Sequence, residues 1–319
     1  MNEEFAQILA ARTVIDGRLV RTPVQILDGG AFSDSLAGRT LVFKLEMLQR
    51  TGSFKIRGAL NKLSQLSADE KARGVVGMSS GNHAQALAYG ARLEGVEATV
   101  VMPDYSMDYK VAATRAYGAK VELVSTAELF STYERFHQER GLTPVHPFDD
   151  PHIIAGAGTA ALEVLEEVPA PDCVLASVGG GGWISGTSTA MKRRAPQAKI
   201  IGVEPEGACV VRRSLDAGRL VKLDSVETVA DGLAPPFTGE IVFDRIQRHV
   251  DDVLVVSDDE ILDATRRIID VLKVVVEPSA AACVAPLLAG RLNPPEGSTI
   301  AVMLSGGNLS AGRLRSLLA

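Results

Sequence analysis

The stretch Thr51-Gly52-Ser53-Phe54-Lys55-Ile56-Arg57-Gly58-Ala59 places one lysine between an aromatic and an aliphatic residue. It follows Leu41-Val42-Phe43-Lys44-Leu45-Glu46, which reads as a buried strand, and it opens a helical pattern that runs through Leu63. The positive end of a helix dipole and partial desolvation by Phe54 both lower the pKa of Lys55. A Schiff-base lysine needs such a nucleophilic amine. A solvated lysine in a first helical turn is the alternative, and the local pattern alone favours it.

The composition limits the classes of protein to which the chain can belong. Its 319 residues are 46% apolar and 5% aromatic, which suits one large or two moderate packed α/β domains. The net charge is −6 with acidic and basic residues interspersed, so neither nucleic acid nor an anionic membrane is an expected partner. Small metabolites are the expected partners.

The cysteines and the amino terminus bear on the cellular location. Cys173, Cys209 and Cys283 are far apart and odd in number, which argues against a disulfide framework and a zinc site and suits a reducing compartment. The start Met1-Asn2-Glu3-Glu4 is acidic where a signal peptide would be basic, and no apolar run approaches the length of a membrane span. We therefore expect a cytoplasmic protein.

The fold class follows from the alternation of strand and helix patterns. Continuous apolar runs alternate with amphipathic helices, which is typical of parallel sheets covered on both faces. The sequence therefore predicts an α/β protein with two parallel-sheet, doubly wound domains. We expect a large domain of residues 1–46 and 144–319 and a small domain of residues 47–143, with the chain crossing back near Gly141 to Pro147.

Three segments of this prediction are specific enough to test. The pattern predicts a Gly-rich connection from Arg21-Thr22-Pro23-Val24 to the strand at Leu41. It also predicts one helix over Thr159 to Glu167 and another over Ser279 to Leu288.

The run Ser79-Ser80-Gly81-Asn82-His83 lies between a predicted strand and a predicted helix. Free backbone N–H groups and hydroxyls at such a position suit a bound carboxylate. An ordinary capping turn is the alternative, because Ser and Asn are preferred helix caps.

Four consecutive glycines, Gly179-Gly180-Gly181-Gly182, also join a predicted strand to a predicted helix. Glycine lets the backbone approach an anion closely, so this run predicts a phosphate cradle. A dinucleotide-binding fold is the rival, because Glu204 ends the next strand where a ribose-binding acid would lie. The glycine spacing disfavours it, since the third glycine of that fingerprint would fall on Ile184 or Ser185.

The lysine stretch, the Ser79 to His83 loop and Ser305-Gly306-Gly307-Asn308 together resemble the motifs of the fold-type II pyridoxal-phosphate enzymes. These enzymes have the architecture of the tryptophan synthase β subunit. Within them the chain is most similar to the threonine/serine dehydratase and serine racemase family, and the resemblance covers nearly the whole chain.

This resemblance implies a role for each motif. Lys55 would carry pyridoxal 5'-phosphate as a Schiff base, with Phe54 packed near the ring and the phosphate on the four glycines. Asn82 would contact the phenolic oxygen, Ser305 would face the ring nitrogen, and Gly232 would lie near the cofactor. The substrate carboxylate would dock on the loop formed by Ser79, Ser80, Gly81, Asn82 and His83.

The implied reaction is the conversion of L-threonine, L-serine or a related β-hydroxy amino acid to a 2-oxo acid and ammonia by a homodimer. Lys55 would remove the α-proton. A serine racemase is the alternative, with Ser80 as the acid/base on the opposite face. Pro235 and Pro236 stand where eukaryotic serine racemases carry serines, which disfavours that alternative. A β-replacement synthase, a non-catalytic pyridoxal-phosphate carrier and a nicotinamide-dependent oxidoreductase also remain open.

A divalent-cation site is the last feature that the resemblance implies. Glu204 and the backbone of Ala208 match two of its positions, whereas Val210 replaces the third, acidic ligand. Because a site for Mg²⁺ or Ca²⁺ loses affinity with each charged oxygen ligand removed, we expect a weak or empty site.

Overall fold

A computed structural model describes residues 3–318; Met1, Asn2 and Ala319, which fall in the predicted large domain, lie outside the described residues. Its strands are β1 (Val24–Asp28), β2 (Thr40–Leu45), β3 (Val75–Met78), β4 (Ala98–Pro103), β5 (Lys120–Val124), β6 (Thr143–Pro144), β7 (Cys173–Ser177), β8 (Lys199–Pro205), β9 (Asp252–Val256) and β10 (Thr299–Leu304). Its first eight helices are α1 (Glu3–Ile15), α2 (Gly29–Phe32), α3 (Lys55–Ser64), α4 (Ala68–Arg73), α5 (Asn82–Glu94), α6 (Asp108–Ala116), α7 (Leu129–Arg140) and α8 (Pro151–Glu167). The others are α9 (Gly182–Arg194), α10 (Val210–Ala217), α11 (Glu240–His249), α12 (Asp258–Leu272), α13 (Pro278–Ala281), α14 (Ala285–Leu288) and α15 (Ala311–Leu318).

The strands form two sheets. The larger has the order β1-β2-β10-β7-β8-β9, and every neighbouring pair is parallel except β1 and β2. The smaller has the order β5-β4-β3-β6 and is parallel throughout. Helices cover both faces of the larger sheet, so its central strands β7 and β10 are buried and apolar. The predicted fold class is confirmed.

The division into two domains stays a prediction, and the sheets give it a physical basis. The smaller sheet uses only residues 75–144, and its last strand, β6, still pairs with β3 through Thr143 and Pro144. The larger sheet takes its strands from both sides of that segment. None of the helices within residues 3–318 has the length and apolar character needed to span a bilayer.

The structure corrects the three segmental predictions. The expected connection after Arg21 contains β1, an antiparallel edge strand in which Ile26 pairs with Val42. The expected helix from Thr159 begins eight residues earlier at Pro151, where the carboxylate of Asp150 accepts two helix-start N–H groups. The expected helix from Ser279 is divided into α13, a 3-10 turn and α14. Pro286 has no N–H for a regular helical bond, which explains this break.

Helix α8 lies between α3 and α9 in backbone contact with both. A Cβ added to Gly156 of α8 would lie 2.4 Å from the carbonyl oxygen of Arg57 in α3. A Cβ added to Gly186 of α9 would lie 2.4 Å from the carbonyl oxygen of Ile154 in α8. Because only glycine permits such close approach, the three helices have a fixed spacing.

A buried ion cluster anchors α3 behind its first turn. The guanidinium of Arg57 is fully buried and lies 2.8 Å from the carboxylate of Glu46 and 2.7 Å from that of Glu163. Lys44, also fully buried, pairs with Glu163. Two cations and two anions leave the cluster neutral, which is the condition for tolerating buried charge.

Candidate active site

The lysine stretch and the Ser305 motif are hydrogen-bonded to each other. Ser53 forms an antiparallel bridge with Gly306, and the N–H of Phe54 donates to the carbonyl oxygen of Ser305 at 3.0 Å. Lys55 then begins α3. Two motifs that are far apart in the sequence therefore meet at the carboxyl end of β10.

The amino group of Lys55 lies near the backbone of Pro147 and the ring of Phe54. It donates a hydrogen bond to the carbonyl oxygen of Pro147 at 2.8 Å and lies 5.2 Å from the centre of the Phe54 ring. Desolvation lowers the pKa of Lys55 to about 8, and the carboxylate of Glu277 opposes this shift only in part. The amine is therefore available as a nucleophile near neutral pH.

A contact between two aromatic rings links the four-glycine run to the lysine stretch. Gly182 begins α9, and the adjacent ring of Trp183 lies 4.2 Å, centroid to centroid, from that of Phe54. A side chain at Gly180 would collide with the ring of Phe148, where a Cβ would lie 2.3 Å from the nearest ring atoms. The first N–H groups of a helix have no intrahelical acceptor, so this loop presents donors beside Lys55.

Gly232, which the resemblance places near the cofactor, lies against the same loop. Its carbonyl oxygen would be 3.1 Å from a Cβ on Gly179, and its own N–H donates to the hydroxyl of Ser279 at 2.8 Å. The structure thus brings Gly232 to the predicted phosphate cradle with its N–H already satisfied.

The Ser79 to His83 loop lies at the start of α5, after β3. The hydroxyl of Ser79 accepts the N–H of Gly81 at 3.1 Å, and Ser80 is half-buried. The His83 ring is buried, its Nε2 lies 3.2 Å from the carbonyl oxygen of Val145, and desolvation lowers its pKa to about 3. The ring is therefore neutral, and its buried Nδ1 has no hydrogen-bond partner among the described residues. The first N–H groups of α5 have no intrahelical acceptor and suit an anion.

The side-chain amide of Asn82 is held at both ends. Its Nδ2 donates to Oε1 of Glu277 at 2.6 Å, and its Oδ1 accepts from Nδ2 of Asn308 at 2.9 Å. Nδ2 of Asn308 also donates to the carbonyl oxygen of Thr51 at 2.8 Å. This chain of amides joins all three motifs.

Sequence reasoning missed Glu277. Its side chain is buried, and Oε2 has no hydrogen-bond partner among the described residues. Burial raises the pKa of Glu277 to about 7, with Asp231 acting in the same direction. The available signal was an isolated acid between three valines, Val274 to Val276, and a proline that starts a helix.

Sequence reasoning also missed Lys110, which lies beside the Ser79 to His83 loop. Its ammonium is buried and pairs with Asp231, and its Nζ would be 3.3 Å from a Cβ on Gly81. Burial alone would lower the pKa of Lys110, but the carboxylates of Asp231 and Glu277 outweigh it and raise the pKa. Lys110 is therefore protonated at neutral pH and places a positive charge beside Gly81.

The carboxylate of Glu204 is already occupied by hydrogen bonds to the backbone of α10. Its two carboxylate oxygens accept the N–H groups of Val211 and Arg212 at 2.9 and 2.7 Å, so it caps α10. Val210 supplies no ligand atom from its side chain. Within residues 3–318, no three His, Cys, Asp or Glu side chains are grouped as a metal site requires. These residues do not fit a divalent cation.

Comparison with known proteins identifies the family. Residues 16–306 match the family of pyridoxal-phosphate dependent enzymes. The chain belongs to this family. The match removes the nicotinamide-dependent oxidoreductase and confirms the resemblance to fold-type II pyridoxal-phosphate enzymes.

Individual relatives of this pyridoxal-phosphate enzyme support the same placement. It is 40% identical to an L-threonine ammonia-lyase of Thermotoga maritima, over 89% of this chain and 71% of that protein. It is 39% identical to the L-threo-3-hydroxyaspartate ammonia-lyase of Saccharomyces cerevisiae, over 98% of this chain and 96% of that protein. The maize serine racemase structure superposes with a TM-score of 0.92 at 36% identity, covering 98% of this chain and 96% of that one. The enzyme is a pyridoxal-phosphate-dependent lyase.

The residues around Lys55 fit the cofactor of this family. A buried amine with a pKa of about 8 lies next to a helix start that can bind a phosphate. Ser53 Oγ is a buried polar atom without a partner among the described residues, as expected of a group that lines a polar ligand.

Proposed function

We propose that this enzyme removes water from a β-hydroxy α-amino acid and yields a 2-oxo acid and ammonia. The proposal rests mainly on the Lys55 amine, which begins α3 and has a pKa of about 8. We assign the cofactor phosphate to the helix start at Gly182 and the substrate carboxylate to the helix start at Asn82. Pyridoxal phosphate, when bound to Lys55, supplies the electron sink that makes the substrate α-proton acidic.

The residues of the chain divide the remaining work. The N–H groups of Asn82 and His83 bind the substrate carboxylate at the start of α5, and Lys110 adds positive charge behind Gly81. The freed amine of Lys55 takes the α-proton and, as an ammonium, returns a proton to the departing β-hydroxyl, which leaves as water. The released enamine tautomerises to an imine, which water hydrolyses to the 2-oxo acid and ammonia.

Four contact roles remain part of this proposal. Phe54 packs near the cofactor ring, Asn82 binds its phenolic oxygen, Ser305 faces its ring nitrogen, and the glycines 179–182 bind its phosphate. Ser305 is buried beside the lysine stretch, which supports its role.

The relatives support three substrates for this chain: L-threonine, L-serine and L-threo-3-hydroxyaspartate. An assay of 2-oxo acid formation with each, run on the wild type and on Lys55→Ala, tests the proposal. We expect turnover of at least one substrate, loss of that turnover in Lys55→Ala, and a retained fold by circular dichroism. Normal activity in the folded alanine variant would refute the role of Lys55.

Serine racemase activity is the second candidate, because of the likeness to the maize enzyme. It requires an acid/base opposite Lys55, and Ser80 is the residue that the loop offers. Pro235 and Pro236 supply neither a side-chain donor nor an N–H, so we expect L-serine to give far more pyruvate than D-serine. Chiral chromatography beside a pyruvate assay measures the ratio, and Ser80→Ala should reduce D-serine formation more than dehydration. Equal rates of the two products would assign the enzyme as a racemase.

We further propose a homodimer in the cytoplasm. The family resemblance supports the dimer, and three free buried cysteines support a reducing compartment. Light scattering of the purified holoenzyme tests the dimer.

A further inference from the structure

Glu277 belongs to no motif, yet it is the residue to which the predicted cofactor-binding amide is attached. It immediately precedes α13, and its carbonyl oxygen accepts the N–H groups of Ala280 and Ala281 at 2.9 and 3.1 Å. Its carboxyl group makes no capping bond to that helix. The side chain instead extends to Asn82, 195 residues earlier in the sequence.

The amide of Asn82 has only one orientation that satisfies its neighbours. Nδ2 of Asn308 can only donate, so Oδ1 of Asn82 faces it and Nδ2 of Asn82 is left to donate to Oε1 of Glu277. Asn308 is itself oriented, because it also donates to the carbonyl oxygen of Thr51. The direction of every hydrogen bond from Thr51 to Glu277 is therefore determined.

This arrangement leaves one donor of Asn82 available. Nδ2 carries two N–H groups, and among the described residues it has one acceptor, Glu277. Oε1 of Glu277 accepts in either charge state, because a proton on the carboxyl group can reside on the unpartnered Oε2. The hydrogen bond from Asn82 to Glu277, which we call the clamp, therefore persists in both protonation states of Glu277.

We propose that Glu277 is a positioning residue, which holds the amide of Asn82 so that its second N–H donates to the phenolic oxygen of pyridoxal phosphate. The inference rests on the contact proposed for Asn82 above, and it extends that contact to a residue that does not itself touch the cofactor. A charged or neutral acceptor at position 277 serves this purpose, whereas an apolar side chain of the same size does not.

Because charged groups surround Glu277, the test needs a control that separates loss of charge from loss of the hydrogen bond. Asp231, Lys110 and Lys55 all interact electrostatically with it. Glu277→Gln removes the charge but keeps an oxygen that accepts from Asn82, and Glu277→Met removes both. Any effect of charge alone appears in both variants, whereas loss of the clamp appears in Glu277→Met only.

The test measures binding of pyridoxal phosphate to the apoprotein without substrate. The chain has a single tryptophan, Trp183, which lies beside the glycine loop and reports binding by fluorescence, and visible absorbance reports the covalent linkage to Lys55. We expect Glu277→Gln to bind within about threefold of the wild type. Glu277→Met should weaken binding by about tenfold, as for the loss of one hydrogen bond to a charged group.

A double-mutant cycle shows whether Glu277 acts through Asn82. In an Asn82→Ala background, Glu277→Met should change the affinity for the cofactor by less than about twofold. An undiminished tenfold effect there would overturn the inference, as would wild-type affinity in Glu277→Met or equal losses in the two Glu277 variants.

Asn308→Asp provides a second route if Glu277→Met does not fold. It places an acceptor against Oδ1 of Asn82, which opposes the observed orientation, so we expect weaker cofactor binding. Unchanged affinity in a folded Asn308→Asp protein would also overturn the inference. Because no substrate is used, these results are independent of which amino acid the enzyme dehydrates.

Discussion

The Lys55 amine and the Pro147 carbonyl oxygen are joined by a 2.8 Å hydrogen bond. A carbonyl is a neutral acceptor, so this contact fixes the direction of the amine without the charge that would stabilise an ammonium. Within residues 3–318, the carboxylate of Glu277 is the group that raises the pKa of Lys55, and desolvation outweighs it. The amine is thus both oriented and kept reactive.

The pH dependence of cofactor capture follows from this lowered pKa. Below pH 8 the ammonium dominates and cannot attack, whereas above pH 8 the free amine dominates. With a pKa of about 8, the free-amine fraction at pH 7 is about 300 times that of an ordinary lysine at 10.5. Stopped-flow absorbance of apoprotein mixed with pyridoxal phosphate should show a rate that rises with pH to a midpoint near 8. A midpoint near 10 would contradict the desolvated site.

Lys110→Met should weaken substrate binding. The variant removes the cation that lies against Gly81, so the KM for the amino acid should rise by about tenfold while kcat changes less than threefold. Steady-state kinetics measures both. Lys120→Met is the matched control, since Lys120 pairs with Glu97 on the exposed surface and should leave KM unaltered. A similar KM for Lys110→Met and the wild type would show that Lys110 is only a structural cation.

Glu46→Gln should destabilise the fold. It leaves the buried ion cluster of Lys44, Arg57, Glu46 and Glu163 with one excess positive charge, at a cost of about 3 kcal/mol in the free energy of unfolding. Urea denaturation of the holoenzyme measures the change. An unaltered denaturation midpoint would mean that the cluster tolerates a net charge.

Gly186→Ala tests the close packing of α9 on α8. The new methyl group would lie 2.4 Å from the carbonyl oxygen of Ile154, so we expect a loss of about 2 kcal/mol and weaker cofactor binding. Gly312→Ala serves as the control, because its Cβ would meet only Ser310 Oγ, at 3.9 Å, in the helix α15. That control should be neutral or slightly stabilising. Equal stabilities of the two variants would argue against a fixed helix spacing.

Removal of divalent cations should leave the enzyme active. Glu204 already caps α10, and Val210 replaces an acidic ligand, so chelator should change neither the melting temperature nor turnover measurably. Thermal unfolding and the 2-oxo acid assay, each with and without chelator, check this. Reversible inactivation restored by Mg²⁺ or Ca²⁺ would reveal a site that these residues do not suggest.

The fold and the strand-end motifs were predictable from the sequence because their signals are local. The alternation of apolar strands and helices can be recognised in short stretches of sequence, and so can the helix start at Lys55 and the four glycines. Glu277 and Lys110 were not predictable in this way. Their partners Asn82 and Asp231 are 195 and 121 residues away along the chain, and only the packed structure brings them together. The edge strand β1 was missed because half-buried Gln25 and exposed Asp28 interrupt its apolar pattern.

The close glycine contacts of α8 fix the distance between α3 and α9, and this distance limits the length of cofactor that the fold accepts. Lys55 begins α3, the four-glycine run to which we assign the phosphate leads into α9, and backbone atoms of α8 separate the two helices. Side chains can be replaced to widen a pocket, but no substitution can shorten a contact between two backbones. An analogue whose phosphate is carried on a shorter arm would therefore leave Lys55 and the glycine run too far apart, whatever residues face the substrate.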